Sequence, residues 1–311
     1  MENFRLKVFR AVAEHRNFRM AAEQLLLTQP AVTQQIKALE TELDVALFNR
    51  AGGKVTLTPA GAALLPFAER LALLAEEARN AVSAVSETGS GALAVGASQT
   101  IGQYLLPRLL ASFLAEHPKI DVTVLSGNTQ TVLEALAEHR IAVALIEGPA
   151  LRQDVHIEPF MEDHMVCVVP AGHEWADEEI SLQQLQDATF VMREVGSGSR
   201  RTIEQALEQA GLRVRDLRIR MTFDSTEALL GAVEAGLGIA FVSRWAVRSS
   251  LALGVLCIAH IRGLRLARAF SVGTSAGPLP TGPAGAFHRF VLERAEALAP
   301  RATRFTKSRS A

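Results

Sequence analysis

Apolar residues fall at helical spacing from the start of the chain. Phe4, Val8, Phe9 and Val12 lie on one face of a helix over residues 4–14. Asn17 stands where a side-chain oxygen would cap a second helix, Phe18 to Leu25. Thr28 does the same for a third, with Pro30 in its first turn, where a missing N–H costs little. On that third helix, running to about Leu43, Val32, Ile36 and Leu39 recur at i, i+4 and i+7 and face a three-helix core. LFNR, a Gly52-Gly53 turn and KVTLT then read as a small β-wing. Thr58-Pro59 opens a fourth helix, to about Glu87, with Leu64, Ala68, Leu71, Ala75, Ala78, Val82 and Val85 at spacings of 4 and 3 in alternation. That is an a/d seam sustained over three heptads. It sits on a helix roughly 40 Å long at the α-helical rise, and Pro66 near its start is a candidate kink. The narrow stripe of alternating small and large residues reads as a dimerising coiled coil. Packing on the chain's own domain is the alternative.

Beyond Thr88-Gly89-Ser90-Gly91, a hinge by composition, the period changes. ALAVGA, KIDVTVL and IAVALI read as strands, separated by helices over 100–116 and 129–138. A second alternating set occupies about 163–263: MVCVVP, a helix near 181–186, TFVM, a helix over 198–210, LRIRM, a helix over 225–235, and GIAFVS. RAFSVG and a helix over 284–297 are predicted to return to the first sheet. Alternating strands and helices of this kind predict a parallel α/β sheet. The predicted organisation is a winged helix-turn-helix over 1–58, a linker and dimerisation helix over 59–87, a hinge at 88–91, and a two-lobed domain over 92–300. Lobe 1 takes about 92–162 and 264–300, lobe 2 about 163–263, and the basic, polar tail 301–311 reads as disordered.

Composition narrows the class. The 311 residues exceed one ordinary core, and with 49% hydrophobic residues they can fill more than one. Net charge is −1 and residues 1–58 carry only two positive charges in excess, so nucleic-acid binding rests on arrangement rather than on charge. MENFRLKVFR has no signal-peptide core, and the longest apolar runs, such as 251–259, are too short to span a bilayer; a cytoplasmic chain without membrane contact is predicted. Cys167 and Cys257 sit in apolar, β-like runs and read as two buried thiols, with no CxxC or Cys/His cluster to suggest a metal or a redox pair. An enzyme is disfavoured because GxSxG, Walker, HExxH and strand-following GxGxxG motifs are missing, and Glu138-His139 and Asp163-His164 read as surface pairs. A transport solute-binding protein would share the two α/β lobes, but it needs export and leaves the first 87 residues without a role.

Helix 18–25, the Leu26-Leu27-Thr28 turn and helix 29–43 form a helix-turn-helix candidate. With Val32, Ile36 and Leu39 inward, Gln29, Thr33, Gln34 and Lys37 face out, and side chains of these types hydrogen-bond base edges or phosphates. Arg50 and Lys54 flank the wing turn, within reach of backbone or minor groove.

The stretch from FRAVAEHRNF to KVTLTPAG closely resembles the LysR-type transcriptional regulators, through Ala21-Ala22, Leu25, Gln29-Pro30-Ala31-Val32, Ile36, Leu39-Glu40, Leu47-Phe48, Arg50, Leu57-Thr58-Pro59 and Gly61. LPRLLASFLAEHPKIDV, EGP, RE-x-GSGSR and STEALLGAVEAGLGIAFVSRWAV extend the likeness along the chain, nearest the CbbR- and CysL-like branch. The chain departs from the family pattern at Gln34, often Arg, at Gly53, where a basic residue is common, and at Asn17, usually Ser. The resemblance implies an α/β fold with an N-terminal all-α winged helix-turn-helix, a long linker helix and a two-lobed, periplasmic-binding-protein-like (type 2) effector domain. It implies DNA contacts from Arg19, Thr28, Gln29, Pro30, Ala31, Thr33, Gln34, Lys37, Arg50 and Lys54 to a pseudo-palindromic promoter site. It further implies a dimer through Leu64, Leu71, Ala75, Ala78 and Val82, a homotetramer built from two such dimers, and RNA polymerase as a candidate partner.

Two segments suggest a ligand cleft between the lobes. Ser98, Gln99 and Thr100 follow a strand and open a helix, and Arg193 precedes Gly196-Ser197-Gly198-Ser199-Arg200, which opens another. Hydroxyls and free N–H groups at helix N-termini favour an anion. The resemblance places Ser98, Thr100, Asn128, Ser197 and Ser199 on the family's pocket wall. No cofactor is predicted beyond a small anionic effector. Simple helix caps, with Arg193 and Arg200 paired to Glu194 or Glu204, are the alternative.

Overall fold

The computed structural model of the protein describes residues 3–49, 55–85, 91–150, 152 and 154–298. The hinge segment 86–90, the wing tip 50–54 and the tail 299–311 lie outside the described residues.

Three helices, α1 (Phe4–His15), α2 (Phe18–Gln24) and α3 (Gln29–Glu42), close on a core of Val8, Phe9, Val12, Phe18, Ala21, Val32, Ile36 and Leu39. Their starts are those the caps predict. Asn17 Oδ1 accepts from the N–H of Arg19 at 2.8 Å and of Met20 at 3.2 Å, and Thr28 Oγ1 accepts from Ala31 N–H at 3.4 Å. Between α2 and α3, Leu26 turns the chain with a φ of +55°. The wing is the antiparallel pair β1 (Phe48–Asn49) and β2 (Thr56–Leu57). Phe48 packs its ring 5.4 Å from Phe9 and 5.8 Å from Phe18, tying the wing to the helices.

The linker helix α4 (Pro59–Val85) begins at Thr58, whose hydroxyl donates to Ala46 C=O and accepts from Gly61 N–H. Gly61 is required there: a Cβ would sit 2.2 Å from the Leu47 carbonyl oxygen. Pro66 lies inside the helix.

The remainder is two lobes built on one long strand. β3 (Gly91–Ser98), β4 (Ile120–Gly127) and β5 (Val143–Glu147) are parallel, with β3 in the middle. A π-helical turn (Ile101–Leu105), α5 (Leu106–Glu116) and α10 (Gly282–Leu298) cover one face, around Phe113, Phe270 and Phe287. α6 (Thr129–Ala137) covers the other, around Val132, Leu136 and Ile146. β6 (Val155–Pro170) then runs sixteen residues. Its first part pairs antiparallel with β12 (Ala267–Ser275), which also pairs antiparallel with β5. Its last part pairs with β10 (Ala240–Ser243) and β11 (Leu256–Ile261). The second lobe is completed by β7 (Glu179–Ile180) beside β11, by the parallel pair β8 (Thr189–Arg193) and β9 (Arg218–Phe223), and by α7 (Gly198–Gln209), α8 (Thr226–Glu234) and α9 (Arg244–Ala252). The chain thus crosses between lobes within β6 and again just before β12.

The parallel sheet expected from the sequence is mixed, because β12 runs antiparallel to both of its neighbours, β5 and β6. The first half of β6 carried no strand signal. His156, Glu158, Glu162 and Asp163 interrupt its apolar residues, and Pro159 removes a ladder donor. β12 accommodates the proline with a register shift between Phe270 and Ser271. α9 was also missed; of its nine residues only Ala246 and Val247 are buried.

Candidate functional site

On α3, Val32 and Ile36 are fully buried and Leu39 nearly so, while Gln29, Gln34 and Lys37 are exposed on the opposite side. Thr28 and Pro30 are exposed at its start, and Ala31 and Thr33 are half-buried. The Thr33 hydroxyl donates back to Gln29 C=O at 3.0 Å, so this threonine offers an external partner only its lone pairs. Arg19, on α2, is exposed and paired with Glu23 at 3.0 Å, a surface pair of the kind worth a few tenths of a kcal/mol. Arg50 and Lys54 lie outside the described residues.

The seam on α4 does not face outward as a single stripe. Ala68 is fully buried in the helical core and Leu64 packs half-buried against it; Ala75 is buried and Ala78 half-buried. Small residues at 68 and 75 let neighbouring backbones approach, and α4 lies against α1 and α10. Leu71 alone of the described seam residues is exposed, at 49%, beside Phe67 at 59% and Leu74 at 60%. The open apolar face is therefore Phe67-Leu71-Leu74, and these three with Arg70 and His139 line a groove of about 330 Å³. The Val82 side chain lies outside the described residues.

Between the lobes the predicted polar segments do meet, around a residue the sequence did not single out. Arg268, on β12, has a side chain 1% exposed. Its Nε donates to Asp163 Oδ2 at 2.7 Å, Nη1 donates to Ser199 Oγ at 2.8 Å and lies 3.5 Å from Glu147 Oε1, and Nη2 donates to Thr100 Oγ1 at 3.2 Å. Ser243 Oγ donates to Asp163 at 2.8 Å, and Ser199 Oγ donates to Glu147 Oε1 at 3.2 Å. One guanidinium thus joins Thr100 and Glu147 of the first lobe to Ser199 of the second. Burial lifts the Asp163 carboxyl above the usual aspartate value, against the pull of Arg268 and Ser243. Asp163 is therefore not the surface residue expected from its neighbour; His164 is exposed and faces Glu162 instead.

Ser98 is fully buried at the end of β3, and its hydroxyl has no partner. Gln99 is half-buried, and its carboxamide oxygen accepts from Gln103 at 3.0 Å. Asn128 and Ser197 both cap helices, accepting from Thr131 N–H and Arg200 N–H. Asn128 Nδ2 also crosses the cleft to donate to Glu194 Oε1 at 3.0 Å. Arg193 is not drawn to the Ser98–Ser199 cluster. Its guanidinium is consumed by Glu194 at 2.9 Å, Thr226 Oγ1 at 2.8 Å and the Asp224 carbonyl. Arg200 pairs with Glu204 at 2.7 Å, the alternative the sequence left open. A lone arginine in the apolar run RAFSV was the signal that could have revealed Arg268.

The lobes are closed on each other. Gln130 N–H donates to Gly196 C=O at 3.2 Å, Tyr104 donates to Glu227, and Arg201 donates to Pro149 C=O at 2.9 Å. Gly198 sits against β5 so tightly that a Cβ would lie 1.8 Å from the Glu147 carbonyl oxygen.

Neither cysteine is poised for thiolate chemistry. Of the two thiols expected to be buried, Cys167 is buried and Cys257 only half-buried. Burial pushes the Cys167 thiol up to about 12, and Cys257 is also raised, by burial and by Asp177. No helix among the described residues is long and apolar enough to cross a membrane.

Two family models account for most of the chain. The bacterial regulatory helix-turn-helix protein, lysR family, matches residues 4–62, and the LysR substrate binding domain matches residues 86–296. A probable RuBisCO transcriptional regulator of Phaeodactylum tricornutum is 36% identical over 271 residues, covering 86% of this chain and 88% of the relative. The HTH-type transcriptional regulator CysL of Bacillus subtilis is 38% identical over 267 residues, covering 86% and 88%. Among solved structures, full-length CbnR complexed with its target DNA superposes with a TM-score of 0.72 at 25% identity, covering 95% of this chain and all of that one. The helical head falls under the first of these family models and the two-lobed domain under the second, and the chain belongs to the LysR family of DNA-binding transcriptional regulators with an effector-binding domain.

Proposed function

We propose that α3 lies in the major groove and reads base edges through Gln29, Gln34 and Lys37, with Arg19, the cap residue Thr28 and the α3 residues Pro30, Ala31 and Thr33 set against the DNA backbone. Lys54 and Arg50 of the wing extend that contact. The exposed polar row on a helix whose other face is a closed core carries this reading. Two copies join through the linker helix, two dimers form a tetramer on a pseudo-palindromic promoter, and the assembly acts with RNA polymerase in the cytoplasm. The regulating ligand is a small anion that enters between the lobes, to Arg268, Ser98, Thr100 and Ser199. The meeting there of a buried guanidinium with Thr100, at the start of the π-helical turn, and Ser199, in the first turn of α7, supports it. Such a ligand acts only if it binds one lobe arrangement better than another. The reading face is tested by quantitative footprinting. Gln34→Ala costs on the order of 1–3 kcal/mol at one base pair and relaxes sequence preference there. A variant that footprints like wild type at matched salt places the recognition face elsewhere.

A further inference from the structure

Arg268 has five N–H donors. Three of them donate to Asp163, Ser199 and Thr100, and Nη1 also lies 3.5 Å from Glu147 Oε1. The acceptors around it are less well served. Glu147 is 1% exposed, and its Oε2 has no hydrogen-bond donor; Ser98 Oγ, buried at the neighbouring strand end, also has no partner. Two carboxylates, Glu147 and Asp163, face one guanidinium in the same buried place. A bare anion arriving here would add negative charge to that excess. It would leave Glu147 Oε2 unpaired, at the desolvation cost of a buried acceptor without a donor. A molecule carrying a hydroxyl or ammonium beside its acid group meets both demands at once. The acid group goes to Arg268 and the N-terminal turn of α7, and the donor hydrogen goes to Glu147.

We infer that Glu147 is a specificity-determining residue, which selects among small anions those with a donor group next to the acid, such as hydroxy acids and amino acids. This rests on the reading that the ligand enters between the lobes. Ser199 stands on α7 of one lobe and Glu147 at the end of β5 in the other, and they touch. Parting the lobes therefore exposes the serine, the carboxylate and the arginine together. A site whose own buried acceptor is left empty rejects an analogue lacking the donor far more strongly than an apolar pocket rejects a missing methylene.

Matched probes test it on the full-length protein by calorimetry and thermal shift: malate against succinate, which differ by a hydroxyl, and alanine against propionate, which differ by an ammonium. The donor-bearing member of a pair binds about tenfold or more tighter, the cost of a lost buried hydrogen bond. Glu147→Gln keeps the shape but replaces an acceptor oxygen by an amide donor, and brings the pair to near parity. The wild-type comparison needs no variant, so a poorly folding Glu147→Gln does not decide the outcome. Equal affinity within each pair, or no response to any probe, overturns the role of Glu147. The cleft itself is tested separately with Ser98→Ala/Ser199→Ala. If that protein still responds to the probes as wild type does, the ligand lies elsewhere. If it is silent while wild type treats paired probes alike, the cleft stands and only the selectivity falls.

Discussion

His288 shows how a single side chain ties this fold to pH. It sits on α10, buried, with Nε2 unpartnered and 3.7 Å from a Glu158 oxygen. Burial pulls its value below the ordinary 6.5; Glu158 opposes this, while His156 and Arg289 add to it. The folded state therefore holds the ring neutral where the unfolded chain begins to protonate. The neutral ring's contribution is complete above 6.5 and is lost as pH falls through that value toward the lower folded one. Melting temperature measured against pH should fall more steeply on the acid side for wild type than for His288→Gln. Parallel curves for the two proteins would place the acid sensitivity in other groups. Arg268 teaches a related lesson, since its charge is tolerable in the interior only because two carboxylates and two hydroxyls surround it.

Helix α4 illustrates how one periodic pattern serves two surfaces. Ala68 and Ala75 face inward and are consumed by the chain's own packing, whereas Phe67, Leu71 and Leu74, spaced by 4 and 3, remain open. Apolar side chains of this size gain roughly 1.5–3 kcal/mol each on full burial, enough to drive association of two such helices. Leu71→Asp would bring a carboxylate into the proposed contact between copies, which is strongly unfavourable without a partner charge. On the proposed dimer, light scattering is expected to show a smaller assembly, and operator affinity to fall because the proposed contact no longer joins two reading heads. A wild-type mass with intact affinity removes this face from the interface.

The two lobes meet over a seam with almost no slack. Gly198 is the tightest point: a Cβ there meets Glu147 C=O at 1.8 Å and Thr129 Oγ1 at 2.5 Å. Gly198→Ala must push α7 away from β5, at an overpacking cost of about 1–3 kcal/mol. That corresponds to a melting temperature lower by several degrees. Hydrogen exchange should quicken at the Gln130 amide, whose acceptor Gly196 C=O lies across the seam. Unchanged protection at Gln130 would show that the helix adjusts without parting the lobes. The Gln34→Ala head variant is independent of all this, because its site shares no residue with the cleft, and the two should combine additively.

Local chemistry was legible in the sequence wherever a residue acts on its near neighbours. Asn17, Thr28 and Thr58 begin helices where their side chains reach the next free N–H groups, and the i, i+4, i+7 run of Val32, Ile36 and Leu39 turns Gln34 and Lys37 outward. Ser98, Thr100 and Ser199 could be marked as polar groups at strand-to-helix junctions for the same reason. What these residues touch could not be read. Asp163 looked like a surface residue because its partner lies 105 positions away, and Arg193 looked available because Thr226, which takes one of its donors, arrives from α8. Glu147 and Arg268 meet only when β5 and β12 pair and α7 closes on them. The seam on α4 was visible as a pattern, but which half of it stayed open depended on what the helix packed against. Contacts made within one or two helical turns are fixed by spacing. Contacts between elements depend on strand order and lobe closure, which the whole chain sets by burying its apolar faces together.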